Sequence, residues 1–186
     1  PAANTGTVSA QNEDSIIKAH ERSQAFGVAA ADDPDFSSLT HIQLERALDE
    51  NRLLLDHAFP AMQTLYGQIA NTGNVVVLSS AQGVLLHTLG DTDFEEKASK
   101  VALLPGVDWS ERTKGTNAIG TALSELQPVT VHGKQHYLAA NMGLACSCAP
   151  IFDPEGGLLG ALDVTGDYRN HHPHTLALVH MSVQMM

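Results

Sequence analysis

Apolar residues recur at three- and four-residue steps in the first third of this chain, then change to short continuous runs. Leu44, Ala47, Leu48, Leu54, Leu55, Ala58, Met62, Leu65 and Ile69 keep the first rhythm, which predicts a long helical stretch over about 39–69. Pro60 falls inside it and is expected to kink or split it, because proline lacks the backbone N–H and crowds the preceding turn. Residues 15–26 read as a short helix that Asp14 caps and Gly27 ends. Residues 29–38, with Asp32-Asp33-Pro34-Asp35, read as a loop. The 39–69 stretch is longer than one small core requires, so it fits either a helix laid across the domain or a dimer helix.

The runs at 75–78 and 84–89 are apolar and rich in valine and leucine, with a turn at 79–83 between them, which predicts an antiparallel hairpin. A helix is expected at 91–100, capped by Asp91 or Thr92, and Pro105-Gly106 breaks the chain after it. Residues 116–126 read as a helix of small residues, 128–131 as a short strand and 135–140 as a helical turn. Strands at 144–152 and 158–165 flank the strong turn signal Asp153-Pro154-Glu155-Gly156-Gly157. Pro173 opens a last helix over 173–186. Hairpins rather than strand–helix–strand crossovers indicate an α+β fold, a central antiparallel sheet with helices on its faces and a helical extension before it.

Charge narrows the partners. The chain has 21 acidic and 10 scattered basic residues, a formal net charge of −11, whereas phosphate binding needs clustered Lys and Arg. Its 186 residues suit one domain that buries a core without staples. No run approaches the roughly 20 apolar residues of a membrane span. Residues 1–11 are small and polar, lack the pattern of a signal peptide and are expected to be a flexible lead-in. The expected division is therefore 1–38, lead-in and short helical leader, and 39–186, the main domain. Cys146 and Cys148 stand too close for an unstrained disulfide, in keeping with a reducing cytoplasm.

The segment Lys114-Gly115-Thr116-Asn117-Ala118-Ile119-Gly120-Thr121-Ala122-Leu123 is unlike a solvated helix. Its glycines are spaced like those of a phosphate loop, but Thr121-Ala122 replaces the Lys-Ser/Thr that such a loop needs. It fits tight helix packing, or a pocket wall with Asn117 and the threonine hydroxyls as polar handles. His132, His136, Cys146 and Cys148 are zinc- or iron-ligand types at a spacing that matches no finger; a metal or redox site, a small-molecule pocket and a plain core all remain open. Asp163 lies within an apolar strand, either facing water between inward Leu162 and Val164 or accepting hydrogen bonds at a cavity edge. Trp109 covers the core or a ligand. His171, His172 and His174 read as an exposed loop cluster. No catalytic set stands out, so an enzyme is not expected.

Taken together, Trp109-Ser110-Glu111, the 114–123 segment, Pro128-Val129-Thr130-Val131-His132-Gly133, Gln135-His136-Tyr137, Cys146-Ser147-Cys148-Ala149-Pro150-Ile151-Phe152-Asp153-Pro154, Gly160-Ala161-Leu162-Asp163-Val164-Thr165-Gly166 and Pro173-His174-Thr175-Leu176-Ala177-Leu178-Val179 resemble the amino-terminal sensor region of the acetoin catabolism regulators, sigma-54-dependent transcriptional activators with a GAF domain at the front. The resemblance covers about residue 16 to the end. It implies a GAF fold with a ligand cavity, and a longer protein that continues into an AAA+ ATPase and a helix-turn-helix DNA-binding domain. Cys148 departs from it, since alanine is expected there.

The resulting expectation is a cytoplasmic regulatory sensor. A small-molecule effector such as acetoin or another short alcohol, diol or ketone would be held by Trp109, Asn117, His136, Tyr137, Cys146 and Asp163, with no cofactor and no metal. The module would pair as a homodimer through its helices and act in the whole protein on the AAA+ domain, sigma-54 RNA polymerase and DNA. The alternatives are a protein-interaction module with a filled GAF core, and a metal or redox sensor using Cys146, Cys148, His132 and His136.

Overall fold

The structure, a computed structural model, describes residues 3–90 and 92–186, without the side chains of residues 3–8, 93 and 95. The chain runs α1 (Ala3–Ala25), α2 (His41–Glu50), α3 (Arg52–Ile69), β1 (Asn74–Ser80), β2 (Leu85–Gly90), α4 (Thr92–Lys100), α5 (Glu111–Lys114), α6 (Ala118–Glu125), β3 (Val129–His132), β4 (Leu144–Phe152), β5 (Leu158–Asp167) and α7 (Thr175–Gln184), with short 3-10 turns after β3 and β5. The five strands form one sheet in the order β2-β1-β5-β4-β3, with antiparallel neighbours throughout. The expected α+β architecture therefore holds.

β5 is the middle strand, and its register places Asp163 between Val77 of β1 and Cys148 of β4, and Thr165 between Val75 and Cys146. Paired residues share a face, so these six side chains point one way, together with Ser79 and Ala161. That face packs under α4, α6 and the Trp109 loop, in a core with Phe94, Leu103, Ile119 and Ala122. Val76, Leu78, Leu162 and Val164 point the other way, against Leu54, Ala58, Met62 and Leu65 of α3 and Val179 of α7. Both faces are covered, which explains why β1 and β5 read as near-continuous apolar runs rather than alternating ones.

Several sequence expectations need correction. The break in the long helical stretch is at Asn51, the C-cap of α2 (φ −105°, ψ 19°), whereas Pro60 lies inside α3. Ser79 belongs to β1 rather than to a turn. Asp91 lies outside the described residues, and α4 begins at Thr92. The stretch after the tryptophan holds the extra short helix α5. α1 begins at Ala3, so residues 3–11, expected to be a flexible lead-in, are helical, and Asp14 lies mid-helix with Lys18 at 2.7 Å instead of capping it.

Docking explains the early start of α1. The Asn12 side chain accepts from the Thr130 N–H (2.8 Å) and donates to the Thr130 carbonyl (3.0 Å), so one amide pairs with the backbone of β3 as a neighbouring strand would. Ile16 and Ala19 are buried. Arg22 donates in bidentate fashion to Glu111 (2.5 and 2.9 Å) and to Glu125 at 2.5 Å. Glu111 is itself buried and also accepts from Thr121 Oγ1 at 2.9 Å. Replacing Arg22 would leave this carboxylate desolvated with one neutral donor. Arg22→Ala is therefore expected to cost about 2–3 kcal/mol in urea unfolding and to raise amide exchange in α1 ahead of the sheet. An unchanged midpoint and exchange pattern would show the clamp to be idle.

Candidate functional site

The sheet face beneath α6 collects most of the unusual chemistry. Thr165 Oγ1 donates to Asp163 Oδ2 at 2.6 Å, while Asp163 Oδ1 has no partner although the residue is fully buried. Asp163 is thus the inward carboxyl of the two arrangements open from sequence, and Leu162 and Val164 serve the opposite face. Burial pushes its pKa up to about 7, and the Thr165 hydroxyl pulls partly against this. Ser79 Oγ is likewise buried and unpartnered. So are both amide atoms of Asn141, in the 3-10 turn Ala139–Asn141 between β3 and β4.

His136 and Cys146 meet on this face. The His136 Nδ1 lies 3.0 Å from the Gly133 carbonyl, which only accepts, so Nδ1 carries the proton. Its Nε2, 3.4 Å from Cys146 Sγ, is then the acceptor and the thiol donates. Burial lowers the imidazole pKa to about 4 and raises the Cys146 thiol, with Asp163 adding to the rise. This is a neutral thiol–imidazole hydrogen bond, whereas a nucleophilic cysteine needs thiolate character. Cys148 is equally buried, its thiol also raised. His132 turns away, its ring 5.9 Å from Tyr168 and 5.2 Å from His171. The four metal-type residues therefore do not assemble, and among the described residues no group of three or more His, Cys, Asp or Glu is placed to hold a metal ion.

The other candidates are distributed differently. Trp109 is buried over the core, its indole N–H bonded to the Ala102 carbonyl at 2.9 Å. Asn117 caps α6 by accepting from Gly120 N (2.9 Å) and donates to the carbonyls of Trp109 (3.0 Å) and Gly115 (2.8 Å), so both ends of its amide are engaged. Tyr137 is half-buried against Gly115 and 5.6 Å from the His20 ring of α1. Asp163, Cys146 and His136 are thus brought together under the Trp109 core, while Asn117 is a strut and Tyr137 belongs to the α1 contact. Sequence reading passed over Ser79 and Asn141. The period-two row Val75, Val77, Ser79 was the signal for the first; nothing marked the second.

A cleft of about 180 Å³ opens on the same sheet face between β1, β2 and α4, lined by Val75, Thr88, Gly90, Ala98, Leu103 and Leu104. Thr88 pairs with Val77, the strand partner of Asp163. Larger hollows of about 420 and 790 Å³ lie elsewhere, in the groove between α1 and α7 and outside the turn after β3. None of the three is lined by Ser79, His136, Cys146 or Asp163, so volume and chemistry point to different places; the 180 Å³ cleft differs from the other two only in opening on the same sheet face as the buried unpartnered groups.

The profile described as the MimR N-terminal domain matches residues 4–184. The chain belongs to that family. It is 30% identical over 169 residues, 91% of its length, to a signal-transduction and transcriptional-control protein of Clostridium beijerinckii. It is 41% identical over 104 residues, 56% of its length, to the acetoin catabolism regulatory protein of Cupriavidus necator. The matched stretches are 27% and 16% of those two proteins. The structure of E. coli DhaR(N) in its complex with DhaL superposes with a TM-score of 0.87 at 17% identity, over 91% of this chain and 58% of that one, which confirms the GAF-like sheet and helices. The MimR family assignment makes this chain a regulatory domain of the class that transcriptional activators carry. No described helix is long and apolar enough to cross a membrane.

The carboxyl at the centre of the sheet leaves a pH signature. The unfolded chain releases the Asp163 proton near the ordinary carboxyl value, while the folded chain keeps it to about pH 7. Folding stability therefore falls as pH rises between those values and is insensitive to this group above them. Relative to Asp163→Asn, the wild type is expected to lose stability from about pH 4 to pH 7 in urea titrations and then level off. His136 pulls the opposite way over part of this window, but it does so in both proteins and cancels in the difference. A flat difference would mean that the buried carboxyl is ionised throughout.

Proposed function

We propose that this chain is an effector-sensing module that binds a small uncharged metabolite on the sheet face beneath α6, reached through the cleft beside α4. The observation that carries this reading is the buried, unpartnered Oδ1 of Asp163. A polar atom in an apolar layer costs free energy until something bonds to it, and a ligand hydroxyl or carbonyl is such a partner. A protonated carboxyl donates to a ketone and accepts from an alcohol, whereas an anionic ligand would add a second desolvated charge. The cleft beside α4 through which a ligand would enter has a volume of about 180 Å³, below the roughly 300–1,000 Å³ of a drug-sized site, which favours a small guest. Acetoin and other short alcohols, diols and ketones meet these terms, and acetoin stands in the name of the Cupriavidus relative. Trp109, His136 and Cys146 form the walls, and Asn117 and Tyr137 support them from behind.

Binding acts by favouring one of two arrangements of the helices relative to the sheet. In the whole protein the signal passes to an AAA+ ATPase, and through it to sigma-54 RNA polymerase and DNA. Calorimetry with acetoin, 2,3-butanediol, 2-butanol, 2-butanone and butyrate is expected to give heats with some of the neutral compounds and none with butyrate. Silence across the neutral set would sink the proposal.

A homodimer through the helices is the second part of the reading. α7 has no Lys, Arg, Asp or Glu, yet only Val179 is buried, and Met181 and Met185 are 60% and 73% exposed. An apolar helix left this open calls for a cover. Copies that each carry −11 repel, so they approach best through an uncharged face. Sedimentation is expected to show a dimer at micromolar concentration and a monomer for the Met181→Glu/Met185→Glu variant. A monomeric wild type would remove this part alone.

A further inference from the structure

The unpartnered hydroxyl of Ser79 and the unpartnered oxygen of Asp163 lie on adjacent strands and on the same face of the sheet. Ser79 pairs with Ala161 and Val77 with Asp163 on the adjacent strands β1 and β5, so Ser79 and Asp163 are diagonal neighbours on one sheet face. Their Cβ atoms are then within about 8 Å of each other, and both side chains rise on the same side. What lies between them is small: Ala161 on β5 and Val77 on β1. Both residues are fully buried, and neither Ser79 Oγ nor Asp163 Oδ1 has a partner. Other hydroxyls nearby are satisfied internally: Thr165 by Asp163, Ser80 by the N–H groups of Gln82 and Val84, and Thr121 by Glu111. The two open positions are therefore a pair, one on each of two adjacent strands, on the same face of the sheet.

We infer that Ser79 is a specificity-determining residue of the effector site, forming with Asp163 a two-point hold that selects a neutral ligand with polar groups on neighbouring carbons over one with a single polar group. The inference rests on the effector reading above. The geometry sets the spacing. Two hydrogen bonds of about 2.8 Å, joined by a ligand whose oxygens are separated by one carbon–carbon bond, bridge the diagonal, whereas a lone hydroxyl satisfies one end and leaves the other desolvated. A site built to bond two groups rejects the analogue that lacks one, because the abandoned partner remains buried and unpaired.

Ser79→Ala is the direct test, since it removes the hydroxyl and fills the position with a methyl. Affinities of 2,3-butanediol and 2-butanol are measured by calorimetry on the 186-residue chain and on the variant. The wild type is expected to prefer the diol by about tenfold or more, the worth of one well-placed hydrogen bond. The variant should lose that preference, with 2-butanol affinity within about twofold of wild type. It should also unfold at an equal or higher urea concentration than the ligand-free wild type, because it no longer buries an unpaired hydroxyl. A preference for the diol that survives Ser79→Ala, or a wild type that binds both alcohols equally, would overturn the two-point hold and leave the effector reading standing. A variant that is clearly less stable without ligand would show that Ser79 serves the fold instead. If neither alcohol binds the wild type, the hold fails together with the effector reading.

Discussion

Because β5 is paired on both sides and covered on both faces, the carboxyl of Asp163 is wholly buried, and its neighbours conform to that condition. Charge in such a place is expensive, and the groups that could supply a compensating cation do not. The His136 pKa is driven down to about 4, so its ring is neutral, and it takes its hydrogen bond from a neutral Cys146 thiol. Lys114, the nearest thing to a buried cation, bonds to the Asp35 carbonyl and lies 5.7 Å over the Trp109 ring. Among the described residues the layer under α6 holds no ion pair, and the ionic contacts sit outside it, at Arg22, Glu111 and Glu125. On the effector reading proposed above, such a layer would select a ligand first by neutrality and only then by shape.

The 114–123 segment takes on a different meaning in this light. Its small residues let three other elements come close. A Cβ on Gly115, where φ is +61°, would sit 2.7 Å from the Tyr137 side chain, and one on Gly120 would sit 2.7 Å from the Glu111 backbone nitrogen. Thr116 Oγ1 meets Ser23 of α1 at 3.1 Å, and Thr121 holds Glu111. The segment joins the N-terminal helix to the lid of the sheet. That places α1 in mechanical contact with the proposed ligand layer.

Much of the fold was legible because strand signals here are local. The 144–152 strand matches β4 end for end, the turn at Asp153-Pro154-Glu155-Gly156-Gly157 fixed the hairpin, and the family pattern identified the GAF class. What escaped was decided at long range. Residues 3–11 have no helical periodicity to speak of, and the helix they begin is tied through Asn12 to Thr130, far along the chain. Pro60 is the obvious breaker, yet the interruption falls at Asn51, where no local rule demanded it. Asp163 looked ambiguous because a strand covered on both faces erases the alternation that would have told inward from outward. Asn117 has the residue type of a ligand handle, but its amide is used up by Gly120, Trp109 and Gly115, and only the folded neighbourhood reveals that.

The amide of Asn12 on Thr130 has one more consequence. β3 is an edge strand, and edges invite strand addition by another chain. Here Asn12 takes up both the N–H and the carbonyl of Thr130, and the Gln135 side chain accepts the next outward N–H, that of His132, at 2.9 Å. The protein has sealed this rim with its own side chains. β-Augmentation at β3 is thus closed by α1 and Gln135 together, so the N-terminal helix shields an edge strand as well as bracing the core.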